Sequence, residues 1–143
     1  MGNTSADGLF ISNDNVIIKN LTITRAGTTN TDNLVEIYGN NATLENVTVT
    51  NGAKNGIYVN NNGKGALTVN FRNITTSGNA WAGVGLVAQK VGDSIVANFT
   101  GTKSFNESTH VYADITGYQD TVTVNGLSAY TTNSKNQKVW TAN

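Results

Sequence analysis

Val16-Ile17-Ile18-Lys19-Asn20-Leu21-Thr22-Ile23-Thr24 is the stretch on which the fold turns. Val16 and Ile18 share one face before Asn20, and Leu21 and Ile23 share one face after it. That is the period-two alternation of half-buried strands, on both sides of a residue type that tolerates left-handed backbone. The phrase returns as Ala42-Thr43-Leu44-Glu45-Asn46-Val47-Thr48-Val49-Thr50, and again as Val69-Asn70-Phe71-Arg72-Asn73-Ile74-Thr75-Thr76-Ser77. A fourth copy is Ser94-Ile95-Val96-Ala97-Asn98-Phe99-Thr100-Gly101-Thr102. The last, Val122-Thr123-Val124-Asn125-Gly126-Leu127-Ser128-Ala129-Tyr130, places Gly126 where the others carry asparagine, and glycine enters left-handed space at still lower cost. From Asn20 through Asn46, Asn73 and Asn98 to Gly126 the spacings are 26, 27, 25 and 28 residues. Self-similarity in that range marks a solenoid.

A third apolar segment precedes each of these pairs: residues 8–12, 34–38, 56–60, 83–87 and 111–115. Three short strands per coil suit stacking, in which each strand pairs with its counterpart in the next coil about 4.8 Å away. Ile18, Leu44, Phe71, Val96 and Val124 are then expected in one interior column, with Leu21, Val47, Ile74, Phe99 and Leu127 in a second. Asn20, Asn46, Asn73 and Asn98 would form an amide ladder whose stacked hydrogen bonds offset the strained corner. The lack of proline suits ladders that need every backbone N–H. The expected fold is all-β: a right-handed parallel β-helix of about five coils, a single domain over residues 1–143. Its coils span about 8–33, 34–55, 56–82, 83–110 and 111–130, followed by a tail at 131–143. Both ends of such a stack expose strand edges. The leader at residues 1–7 and the tail around Trp140 are expected as modest caps, which leaves a stalk segment or end-to-end self-association open.

Charge is scarce and balanced, nine basic against nine acidic residues, so a nucleic-acid or anionic-membrane partner has no electrostatic support. The absence of cysteine excludes a disulfide frame, thiol catalysis and cysteine-ligated metal. No apolar run approaches the roughly 18–20 residues of a membrane span. The chain opens polar, without a signal peptide; if the parent protein is exported, its targeting segment and anchor lie outside this sequence. The Asn-X-Ser/Thr sequons at Asn20, Asn41, Asn46, Asn73 and Asn98 follow from the repeat pattern itself.

The strand–Asn–strand phrase, Ile-Ile-Lys-Asn-Leu-Thr-Ile-Thr and its copies, resembles the second and third sheets of pectate-lyase-like right-handed β-helices over about residues 8–130. The resemblance implies fold more than function, because that architecture hosts lyases, hydrolases, adhesins and tailspikes. The Asn/Thr-rich, low-charge texture is most similar to the pectate-lyase-like adhesive modules of bacterial surface proteins, which implies an extracellular or cell-surface location. Enzymes of the superfamily are expected to carry clustered aspartates and a basic residue on the outer face of the first sheet. Here that face should present Phe10, Glu36, Tyr58, Gly85 and Tyr112, with Asp114 at a strand end and Trp81 in the loop before the fourth strand. Arg25 and Arg72 fall elsewhere, and no paired catalytic carboxylates are evident.

The expectation is therefore a non-catalytic module that recognises a polysaccharide or surface glycan, without cofactor or bound metal. Aromatic planes stack on sugar rings and carboxylates accept sugar hydroxyls. The named ligand-binding residues are Glu36, Tyr58, Trp81, Tyr112 and Asp114, with Phe10 peripheral. The same aromatics would also serve as cross-strand packing with no ligand at all. A polysaccharide lyase or hydrolase fragment and an ice-binding solenoid stay open as alternatives. The latter rests on two outward files, Thr22, Thr48, Thr75, Thr100 and Ser128 beside Thr24, Thr50, Ser77 and Thr102. His110 is expected to be solvated, and Asp14, Asp93 and Asp120 to form Asx turns rather than hold calcium.

Overall fold

The structure, a computed structural model, describes residues 8–25, 32–114 and 119–142. The leader cap, most of the first excursion and the turn before Gln119 lie outside the described residues.

Among the described residues twelve strands run in two sheets: β1 (Leu9–Ile11), β2 (Ile17–Thr24), β3 (Val35–Ile37), β4 (Ala42–Thr50), β5 (Asn55–Asn60), β6 (Ala66–Ser77), β7 (Ala82–Val87), β8 (Ser94–Asn106), β9 (Val111–Ala113), β10 (Val122–Asn125), β11 (Thr131–Thr132) and β12 (Lys138–Trp140). The first sheet is ordered β1-β3-β5-β7-β9-β12-β11 and the second β10-β8-β6-β4-β2. All pairs among β1 to β10 are parallel. The chain is thus a β-solenoid of about four turns, to which β9 and the short β10 add a partial coil. None of the described residues forms a helix long and apolar enough to cross a membrane.

Each long strand of the second sheet merges the second and third expected strands and bends where an asparagine turns left-handed. Asn20, Asn46 and Asn73 lie at φ +56, +55 and +53°. Asn46 Nδ2 donates to Asn20 Oδ1 at 2.9 Å, and Asn73 Nδ2 to Asn46 Oδ1 at 2.8 Å. Side chains on both sides of the bend alternate inward and outward, as in β4, where Ala42, Leu44, Val47 and Val49 are buried. Ile18, Leu44, Phe71 and Phe99 stack in one interior column. Phe71 and Phe99 are stacked at 4.7 Å between ring centroids.

The fourth coil departs from the expected alignment. Asn98 pairs with Asn70, not Asn73, and the left-handed corner is Gly101 at φ +67°. Arg72 opposes Thr100 while Ile74 opposes Lys103, so Gly101 and Thr102 together face Asn73 as a β-bulge. Phe99 consequently replaces Val96 in the first column, and Lys103 follows Ile74 in the second. The outward files become Thr22, Thr48, Thr75, Ser104 and Thr24, Thr50, Ser77, Asn106; Thr100 and Thr102 stand outside them. Asn98 instead joins a second ladder, donating to Asn70 at 3.0 Å and accepting from Asn125 at 2.8 Å. At the first corner of the opening coils, Asn41 Nδ2 likewise donates to Asn15 Oδ1 at 2.9 Å.

The tail closes the first sheet. β12 pairs antiparallel with β9, placing Trp140 beside Val111 and burying it to 4 % exposure, and β11 pairs with β12. Among the described residues no strand pairs with the far side of the second half of β8, and Lys103 guards it by donating from Nζ to the Gly126 carbonyl at 2.7 Å.

Candidate functional site

Phe10, Glu36, Tyr58, Gly85, Tyr112 and Val139 occupy one register position across the first sheet. This is the outward file expected from the sequence, since the neighbouring positions Val35, Ile37, Ile57, Val59, Val84 and Leu86 are buried inward. The file is not a uniform aromatic strip. Phe10 stands exposed at the outer strand, edge-on to Tyr38 with ring centroids at 5.1 Å. Tyr58 is half-buried, and Tyr112 is only 8 % exposed. A Cβ on Gly85 would meet the Tyr112 ring at 2.9–3.0 Å, so the missing side chain is what lets that ring lie across the sheet.

Burial pushes the Tyr58 phenol up to about 12; the amide of Asn60, which donates to its hydroxyl at 3.3 Å, pulls the other way, and Tyr112, Glu36 and Asp114 add to the rise. Burial likewise raises Tyr112, opposed by the Asn55 side chain and reinforced by Asp114. Both phenols therefore hold their protons to higher pH than a free tyrosine does.

Trp81, in the loop before β7, is 57 % exposed. Lys54 Nζ lies 5.5 Å from its ring centroid and pairs with Asp32 at 2.9 Å. Asn33 joins this group to Glu36: its Nδ2 donates to Glu36 Oε1 at 2.7 Å and, more distantly, to Asp32 Oδ1 at 3.4 Å. Lys54, Asp32 and Asn33 were not legible in the sequence as site residues, because they come from turns whose lengths differ between coils.

The hairpin β11–β12 folds back to make a cleft of about 570 Å³, lined by Trp81, Tyr112 and Asp114 together with Ser108, Asn133, Lys135 and Gln137 among others. Its turn is held rigid by Asn133, whose Oδ1 accepts from the Lys135 and Gln137 N–H groups at 3.0 and 2.9 Å. Three of the six residues singled out from sequence thus converge on one cavity. Phe10, Glu36 and Tyr58 lie along the file outside its lining.

The remaining polar candidates have structural roles. His110 Nδ1 accepts from the Ala142 N–H at 3.1 Å, and its ring stacks on Phe105 at 5.4 Å, so it anchors the tail rather than sitting in solvent. Asp14 accepts from the Asn40 N–H, Asp93 from those of Gly65 and Lys90, and Asp120 pairs with Lys138. Among the described residues no group of three or more histidines, cysteines or carboxylates is placed to hold a metal ion. No family model, curated protein or solved structure matches the chain.

Proposed function

We propose that this chain is a non-catalytic, exported or cell-surface adhesion module of the pectate-lyase-like type, and that it binds carbohydrate at the C-terminal end of its first sheet. The observation that carries the reading is the exposed Trp81 ring at a cleft that hydroxyl, amide, carboxylate and amine side chains also line. Carbohydrate sites combine an apolar plane for the ring face with polar groups for the hydroxyls. Trp81 supplies the plane; Ser108, Asn133 and Gln137 supply donors and acceptors. Tyr112 and Tyr58 form the floor and its continuation, contributing shape more than stacking area.

The arrangement that leans towards hydrolysis is Asp32 beside Glu36. Both carboxylates already act as acceptors, Asp32 towards Lys54 and Glu36 towards Asn33. Asp114 belongs to the coil of β9, three strands from β3 and so about 14 Å away by strand spacing, too far for a hydrolytic pair.

A glycan array probed with the parent and with Trp81→Ala tests the reading. The parent is expected to select one class of glycan, and Trp81→Ala to bind it at least about tenfold more weakly with an unchanged β-sheet spectrum. Equal binding by both proteins removes the cleft as the site. Bond cleavage in a reducing-end assay would replace binding by catalysis, hydrolytic or eliminative.

A further inference from the structure

The corner amides point one way along the solenoid axis. Asn46 donates to Asn20, Asn73 to Asn46, Asn41 to Asn15 and Asn125 to Asn98. Each side-chain N–H is directed at the preceding coil, and each side-chain oxygen accepts from the following one. The first coil leaves half of this pattern unused. Asn15 and Asn20 accept from the second coil, but among the described residues their Nδ2 groups have no protein acceptor.

The interior is open at the same end. Leu21 is 38 % exposed, whereas Val47 and Ile74, which follow it in the column, are 1 % exposed. Val16, Ile18 and Ile23 are only partly buried. β1 and β2 are the outermost described strands of the two sheets on this side.

A second copy of the chain fits this end poorly. At the opposite end the first sheet continues past β9 through β12 and β11, while the second stops at β10. That end is stepped by two strands, about 9–10 Å, so an even N-terminal end cannot seat on both sheets at once. Two N-terminal ends face to face would set donor against donor. The seven leading residues, Met-Gly-Asn-Thr-Ser-Ala-Asp, lack the alternating apolar side chains needed to fill two interior columns.

We propose that this end is a docking surface for one further parallel coil of the same strand–Asn–strand type, contributed from outside residues 1–143. Its corner side-chain oxygens accept from Asn15 and Asn20 Nδ2, and its alternating apolar residues cover Ile18, Leu21 and Ile23. The contact extends the coil-to-coil interface that already joins β2 to β4, with the same donor polarity.

The test uses the full chain and a synthetic peptide of residues 34–50, which contains β3, β4 and the corner residues Asn41 and Asn46. A second peptide carries aspartate at both corners; a carboxylate can only accept, so it cannot turn round to donate. Both peptides are expected to slow amide exchange across β1 and β2 at least about tenfold at saturation. In an Asn15→Asp, Asn20→Asp variant the internal ladder keeps its acceptors, so the protein should melt as the parent does. The aspartate peptide should then bind it at least about tenfold more weakly than it binds the parent. Four results would overturn the proposal. They are no slowing at millimolar-order peptide, equal binding by the variant, exchange at β1 and β2 already slow in the free monomer, or slowing that follows protein concentration without peptide, the mark of a second copy.

Discussion

Gly101 lies so close to Asn73 that a Cβ on it would run into the Asn73 side-chain oxygen, the same oxygen that accepts from the Thr102 N–H at 2.9 Å. Gly101 also holds φ at +67°, so two independent constraints meet at one residue. Gly101→Ala should therefore destabilise the chain by about 1–3 kcal/mol, through strain and a displaced ladder. Gly92, at φ +87° with open space where a Cβ would go, is the control. Gly92→Ala should cost only about 1 kcal/mol. Urea melts of the two variants make the comparison; equal losses would mean that the Asn73 contact carries no weight.

Glu107 holds two buried groups of the third coil. Its carboxylate accepts from Thr76 Oγ1 at 2.7 Å and from Asn79 Nδ2 at 2.6 Å, and Asn79 in turn accepts from the Gly52 N–H at 2.8 Å. Removing it strands a fully buried threonine hydroxyl inside the solenoid. Glu107→Ala should cost about 2–3 kcal/mol, and Glu107→Gln distinctly less because one acceptor survives. Thermal melts that rank the two variants the other way would show that these bonds are not what Glu107 provides.

The raised phenols predict a pH dependence with a definite sign. Tyr58 binds its proton more tightly folded than unfolded, so its contribution to stability is fully present below pH 10 and is lost as pH rises through about 12. Tyr112 acts in the same direction. The melting temperature should fall across that alkaline window, and Tyr58→Phe should flatten the fall. A phenolate absorbance titration gives an independent check, since the late-titrating component should shrink in Tyr58→Phe.

Trp140 links stability to the cleft. It is buried beside Val111 on the strand that closes the first sheet, and the same hairpin supplies Asn133, Lys135 and Gln137 to the cavity. Trp140→Ala should cost about 3–5 kcal/mol. It should also speed amide exchange at Val111–Ala113 before the rest of the solenoid opens. Uniform loss of protection along the whole chain would show that the hairpin is not a separable cap.

The outward file from Phe10 to Tyr112 was legible because the strands of the first sheet are short, in register and free of bulges, so counting from the buried positions sufficed. The state of its side chains was not. Tyr112 reads in sequence as an exposed aromatic, but it lies flat across Gly85 and is buried. Trp81, by contrast, keeps its exposed face and gains Lys54 above it. The alignment of the fourth coil failed for a related reason. Asn98-Phe99-Thr100 imitates the corner phrase, yet moving the corner to Gly101 both relieves the left-handed backbone and stacks Phe99 on Phe71.

By itself the sequence determined the class of fold, the coil length, the inward and outward faces of most strands and the presence of an asparagine spine. All of these follow from local chemistry: alternation at period two and a residue that accepts positive φ at a recurring place. Only the tertiary structure decided which of two rival corners the fourth coil uses, which aromatics remain accessible, and how the tail folds back to form the cleft. Those outcomes depend on contacts between residues about 27 or more apart, where packing of whole side chains, rather than any local preference, selects among registers that look equivalent along the chain.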